Sequence, residues 1–191
     1  MTEPGNVIRA EAGLRSAVRA AAGLTIVTGG QTGVDSYAAR AALRAGLRVH
    51  LIFPAGLRQE DGPLPPGRRQ RIAEAQVHEL GQAAFDYRTW TCVYVSDVVL
   101  LLDPAGGAGC AETARAARML GRPLLAPEPG QLTAAHTRQW LAQTAARVVL
   151  IAGCRASLLG QPGAMRPVRA DIAEFMTAAQ PYDETLRTGG R

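Results

Sequence analysis

The sequence predicts an α/β fold: a three-layer α/β/α sandwich around a mostly parallel sheet. Three observations carry that expectation. Short, nearly continuous apolar runs at 24–27 (LTIV), 97–102 (DVVLLL) and 147–152 (RVVLIA) have the length and β-branched content of strands buried on both faces. Stretches with apolar residues at helical spacing separate them. Glycine clusters at 29–33 and 106–109 stand where a strand gives way to a helix. Strands alternating with helices close right-handed βαβ units, a Rossmann-like arrangement.

The elements follow in order. Residues 7–21 interleave arginines with apolar groups at helical spacing, an amphipathic helix that Gly23 ends. The strand at 24–27 leads through TGGQTG into an alanine-rich helix that closes at Gly46. A second strand covers 48–53 (RVHLIF). Residues 54–70 are rich in proline and glycine, and a loop of that length is usually functional or disordered. The pattern over 71–96 reads as helical at first and helical again around 87–95. The strand at 97–102 feeds DPAGGAG and a further helix, then come a strand at 123–126, a helix at 131–145 and a strand at 147–152. A last helix covers 168–179, and the tail beyond Pro181 reads as loose.

Composition narrows the possibilities. A chain of 191 residues predicts one domain, 1–191, large enough to bury a core without disulfide or metal staples. With 47% hydrophobic and 19% charged residues, global disorder is excluded. No apolar stretch reaches the roughly 18 residues of a membrane span. Glu3, Pro4 and Gly5 ahead of any apolar run are unlike a secretory leader. Three scattered cysteines form neither a disulfide framework nor a CxxC pair. The expectation is a reduced, cytoplasmic protein without a membrane partner. The net charge of +5 admits nucleic acid as a partner, but the chain has no lysine, so all 21 basic side chains are arginine. That excludes a P-loop lysine, a Schiff-base lysine and a lysine general base. Anion binding is left to arginine forks and backbone amides.

The two glycine turns are the strongest functional signal. Each falls between a buried strand and a helix N-terminus, at the sheet edge where open α/β folds bind ligands. Glycine lets backbone N–H groups approach an anion there, and the helix dipole favours negative charge. The first turn offers Gly29, Gly30 and Gly33 with Thr28, Gln31 and Thr32. The second offers Gly106, Gly107 and Gly109 with Cys110, Glu112 and Thr113. Strand-to-helix turns also need glycine for geometry alone, but two such turns in one small domain favour a phosphate or oxyanion site. Neither is a Walker A loop or a dinucleotide GxGxxG.

GGQTGVD at 29–35, RQEDGPLP at 58–65 and RT at 88–89 ahead of SDVVLLL at 96–102 carry a resemblance, which LGRPLL at 120–125 and AGCRAS at 152–157 continue. Over roughly residues 23–180 the chain is similar to the provisionally named molybdenum carrier family. This is the circularly permuted YpsA-like branch of the superfamily that includes the lonely-guy phosphoribohydrolases and DNA-processing protein A. The resemblance implies a Rossmann-like ligand-binding domain that forms dimers or tetramers. It also implies a ligand that is a nucleotide, a nucleotide-derived cofactor, molybdenum cofactor or molybdate. The chain departs from the family pattern at Ser36, Ala55 and Cys92, where arginine, lysine and asparagine are common. The second turn resembles the GGxGT turn of the phosphoribohydrolases, with Cys110 at the threonine position and Thr113 at that of the glutamate. Glu112 falls one residue early, an offset of about 100° on a helix that could turn it away from the site.

Single residues each admit two readings. Asp35, on the opening turn of a helix, could bind a ribose hydroxyl or hydrated Mg²⁺, or simply suit the positive helix end. Glu60 and Asp61 form a carboxylate pair able to grip ribose, a base edge or a cation. Arg88 is the first choice for an anion contact and Arg155 the second; Arg68, Arg69 and Arg71 read as a solvated or interface patch. Cys110 could be a nucleophile or a small buried residue, and no histidine is placed to be its base. His50 starts inside a strand, whereas His78 and His136 fall in helical stretches. Histidine and cysteine spacing offers no metal-ligand set, and Trp90 and Trp140 read as packing or interface residues.

The expectation is a binding protein for an anionic small molecule held by both turns. The alternatives are an N-glycosidase on a nucleoside monophosphate, using Glu112 or Asp61, and a single-stranded DNA binder. The sequence alone leaves open whether the protein is an enzyme.

Overall fold

The structure, a computed structural model, describes residues 4–103, 106–160 and 163–189. The chain runs α1 (Pro4–Ala10), α2 (Ala12–Arg19), β1 (Thr25–Thr28), α3 (Val34–Arg44), β2 (Arg48–Phe53), β3 (Arg58–Gln59) and β4 (Gly62–Pro63). It continues through α4 (Pro66–Gln70), β5 (Gln76–Glu79), α5 (Phe85–Val95), β6 (Val98–Leu102), α6 (Ala108–Met119) and β7 (Leu124–Leu125). Then come α7 (Ala134–Thr144), β8 (Val148–Gly153), a 3₁₀ turn (Ala156–Leu158) and α8 (Met165–Thr188).

Six strands form one parallel sheet in the order β5-β2-β1-β8-β6-β7, and β3 with β4 makes a small antiparallel hairpin. Strand side chains alternate between two cores, as a period of two requires. Ile26, Leu51, Leu100 and Ile151 pack beneath α3, α7 and α8. Val27, Ile52, Val99 and Leu150 pack beneath α5 and α6, with Val7 of α1 and Val18 of α2 outside them. Trp90 is wholly buried in the second core, and Trp140 is buried in the first. The α/β/α sandwich expected from the apolar runs is the fold observed. No helix among the described residues is long and apolar enough to cross a membrane.

The structure corrects three expected elements. The helix expected over 7–21 is two helices, parted at Glu11, where the backbone leaves helical values (φ −108°, ψ 15°). The Glu11 carboxylate accepts from Tyr87 Oη at 2.8 Å, tying the break to α5. The segment after 70 is not helical: it turns and enters β5, an edge strand on β2 whose polar residues hide its strand character. The tail beyond Pro181 is not loose, because α8 continues through that proline to Thr188. Proline removes one helical hydrogen bond, but Asp183 anchors the last turns of the helix. Its buried carboxylate accepts from Leu24 N at 2.5 Å and pairs with Arg187 at 2.7 Å. Gly190 and Arg191 of that tail, and Pro104 and Ala105 of the second glycine turn, lie outside the described residues.

Candidate functional site

The first glycine turn leaves β1 with Gly30 at φ 67° and Gly33 at φ 75°, backbone that glycine adopts freely. Gly29 leaves room for the Arg88 guanidinium, Gly30 for the Phe53 ring and Gly33 for the main chain of 154–156. Four amides of this turn are already used. Gly30 N donates to Thr28 Oγ1 (3.2 Å), Gln31 N to Asp35 Oδ2 (3.3 Å), Thr32 N to Glu60 Oε2 (3.3 Å) and Val34 N to the Cys154 carbonyl (3.1 Å). The β3–β4 hairpin seals the arrangement. Gln31 Oε1 accepts from Glu60 N (2.8 Å), the Thr32 hydroxyl bonds the Glu60 carboxylate, and Gln59 Nε2 donates to the Gly30 carbonyl (2.5 Å). Ser36 Oγ donates to the Gln31 carbonyl at 2.6 Å, so this departure from the family pattern helps hold the turn.

The second turn is held from below. Asp103 Oδ1 accepts from the amides of Gly106 (3.0 Å) and Gly107 (3.3 Å). The amides of Cys110 and Ala111 fold back onto the Gly107 carbonyl at 3.0 and 3.1 Å. Between them, the amides of Ala108 and Gly109, the first two of α6, have no protein acceptor among the described residues. Both residues line an open cleft.

That cleft, about 310 Å³, lies over the carboxyl ends of β1, β8 and β6. It gathers Gln31, Asp35, Glu60, Arg88, Gly107, Gly109, Cys110, Glu112 and Thr113 from segments far apart in the chain. Glu112 faces the cleft despite its offset; its carboxylate accepts from Trp90 Nε1 at 2.6 Å and pairs with Arg115 at 3.1 Å. Arg155 lines the cleft as well. Asp61 does not: it is exposed and paired with Arg68 at 2.8 Å. Gly30, Thr32 and Gly33 line a different cavity, and Gly29 and Gly106 line neither. Sequence reasoning missed Phe85, Asp86, Ala108, Cys154 and Leu158, which line the cleft; of these Phe85 and Leu158 are apolar yet exposed, a feature that only the fold reveals.

Burial dominates the electrostatics here. It pushes the Asp35 carboxyl up to about 6, with Arg88, whose Nη1 lies 3.8 Å from Oδ2, pulling the other way. Arg88 Nε is buried without a hydrogen-bond partner among the described residues. Burial also raises the Cys92 thiol to about 11. The Cys110 thiol is raised by burial and by its neighbours Cys154 and Asp103, which removes the thiolate a nucleophile needs at neutral pH. Burial works against ionised Asp103, but hydrogen bonds from Cys154, Cys110 and the turn amides outweigh it and hold the carboxyl below its usual range. Ligand atoms of Asp103, Cys110 and Cys154 lie within 4.8 Å of one another, a metal-capable group that sequence spacing did not reveal. His78 sits on β5 rather than on a helix; it stacks on His50 at 5.0 Å, with Nδ1 of His50 2.8 Å from Nε2 of His78, away from the cleft.

Residues 26–176 match the circularly permutated YpsA SLOG family. Among solved structures, the chain is similar to a provisionally named molybdenum carrier protein from Syntrophus aciditrophicus SB. The TM-score is 0.66 at 23% identity, covering 82% of this chain and 98% of that one. At that identity the likeness speaks for the fold alone. AtPrR2 in its apo form aligns at a TM-score of 0.39 and 14% identity, over 70% of this chain and 49% of that one, too remote to carry an argument. No curated protein matches the sequence.

Proposed function

The chain belongs to the circularly permuted YpsA SLOG family, and we propose that its cleft binds a nucleotide or a nucleotide-derived cofactor. The observation that carries this reading is the division of the cleft into three chemistries. The amides of Ala108 and Gly109, on a helix N-terminus and without an acceptor among the described residues, suit a phosphate. The carboxylates of Asp35, Glu60 and Glu112 suit sugar hydroxyls or the donor edge of a base. Phe85 and Leu158, 37% and 44% exposed at the mouth, suit a flat aromatic ring. A bare molybdate dianion uses neither the apolar walls nor the carboxylates. The four acidic side chains lining the cleft, Asp35, Glu60, Asp86 and Glu112, repel it, and of the two arginines there Arg88 is already paired with Asp35. The molybdenum function named for the similar protein therefore fits best as an organic cofactor with a ring and a phosphate.

AMP is the first probe. Thermal shift and calorimetry with AMP should show saturable binding that Gly109→Asp abolishes. A side chain there meets open space, so the variant keeps the fold while placing a like charge where the phosphate sits. Retained AMP binding in Gly109→Asp, or none in the parent protein, removes the reading. A second reading, hydrolysis of the N-glycosidic bond, is favoured by Asp35. A carboxyl raised to about 6 keeps a share of its proton near neutral pH and can deliver it to a leaving base. Free adenine and ribose 5-phosphate released from AMP, and lost in Asp35→Asn, would establish it.

A further inference from the structure

The first glycine turn has a second side. Opposite the cleft, a cavity of about 280 Å³ opens over the carboxyl ends of β1 and β2, against α3, α4 and α8. Its floor is apolar, formed by Leu51, Phe53 and Ile72, and four arginines stand around it: Arg40, Arg68, Arg71 and Arg169. No aspartate or glutamate among the described residues lines it. Arg68 is held by Asp61, but Arg40, Arg71 and Arg169 make no salt bridge among the described residues. Arg169 lies over the Tyr37 ring, 5.2 Å from its centroid.

This crowding is costly as it stands. The Arg40 guanidinium is held below its ordinary range by burial and then by the like charges of Arg44, Arg71 and Arg169. Folding does not require the arrangement, since Arg71 and Arg169 are exposed and their long stems could carry their charges apart. A concave surface lined by one sign of charge over low-dielectric walls focuses its field on whatever enters. Guanidinium groups match phosphate oxygens in paired hydrogen bonds, and several arginines free of carboxylates need more than one negative charge to balance them.

We propose that this cavity is a second anion site, separate from the nucleotide cleft, for a small molecule carrying two or more linked phosphate groups. The closed apolar floor favours such a molecule over a nucleic-acid backbone, which is tracked by an open basic groove with stacking platforms. Arg40, Arg71 and Arg169 supply the charge, and Arg68 joins them from the hairpin side.

Inorganic pyrophosphate is the probe, titrated calorimetrically into the full chain near physiological ionic strength, about 150 mM. Saturable binding is expected, weakened about tenfold or more in Arg71→Ala/Arg169→Ala, whose side chains are exposed and whose loss leaves the core intact. Removing two exposed arginines elsewhere, Arg118→Ala/Arg138→Ala, should change it by about twofold or less. Gly109→Asp, which blocks the cleft, should leave it unchanged, so failure of the nucleotide reading does not touch this one. No pyrophosphate binding in the parent protein would overturn the proposal, as would equal losses in the two arginine pairs. Binding lost only in Gly109→Asp would overturn it too, as would binding of a short single-stranded oligonucleotide in place of pyrophosphate.

Discussion

The two glycine turns look alike in sequence and differ in what their amides do. In the first, the chain's own Asp35 and Glu60 occupy the N–H groups of Gln31 and Thr32, and the glycines serve close packing and positive φ. In the second, Asp103 takes the amides of Gly106 and Gly107, while Ala108 and Gly109, whose amides have no acceptor among the described residues, line the cleft. Glycine-rich strand-to-helix turns thus serve two ends, and the count of glycines does not distinguish them. What distinguishes them is Glu60, a carboxylate from a distant loop that closes the first turn and has no counterpart at the second among the described residues. The first turn is a partition between two cavities, and the second is the surface to which the nucleotide reading assigns a phosphate.

The contrast can be broken most directly through the glycines. Gly33→Ala forces a side chain to φ 75° and into the backbone of 154–156. It should cost about 3 kcal/mol or more in chemical denaturation. Gly109→Ala, in open helical space, should shift stability by about 1 kcal/mol or less, and towards greater stability. Comparable losses at both positions would end the distinction.

Protonation sharpens it next. Asp35 rises from 3.8 to about 6 on folding, so between those values the native state holds more protons than the unfolded chain. Its contribution to stability therefore falls as pH rises through that window, by about 3 kcal/mol. His50, buried on β2 and facing His78, drops from 6.5 to about 4. There the unfolded chain holds more protons, so this contribution grows as pH rises from about 4 to 6.5, by a similar amount. The two oppose in the parent protein. In Asp35→Asn, stability should climb steeply with pH over this range, and in His50→Gln it should fall. Urea midpoints taken from about pH 4 to 7 read both slopes; parallel curves for parent and Asp35→Asn would contradict the assignment.

The smallest effects come from the threonines. Thr32 bonds Glu60 and accepts from Ala156 N at 3.1 Å, so Thr32→Val should cost about 1 kcal/mol. Thr113 Oγ1 only returns to the Gly109 carbonyl of its own helix at 2.9 Å. Thr113→Val should cost about 0.5 kcal/mol or less by the same measurement.

Much of the fold was legible because parallel strands buried on both faces read as continuous apolar runs: β1, β2, β6 and β8 all do. β5 was not, since QVHE is half polar and is a strand only because it pairs along β2 at the sheet's edge. The helix beyond Pro181 was hidden for a similar reason. Proline is a local stop signal, and it is overridden by Asp183 reaching Leu24, 159 positions away. At the candidate site, motif spacing pointed to Asp35, Glu60 and Arg88, which do line one cleft. It could not show that Asp61 turns outward to Arg68, nor that Glu60 spans 28 positions to close the first turn. The arginines around the second cavity come from α3, the segment 68–71 and α8, and such convergence leaves no local pattern.

The strand order has a consequence for how the molecule is made. β8, the last strand in the chain, lies between β1 and β6 at the centre of the sheet. Until it is synthesised, β5-β2-β1 and β6-β7 are two separate ribbons, each with an unpaired hydrophobic edge where β8 will insert. The cleft, built on β1, β8 and β6 together, cannot exist before that insertion. A ribosome-bound chain that has not yet emerged past Gly153 therefore carries both glycine turns and neither finished cavity.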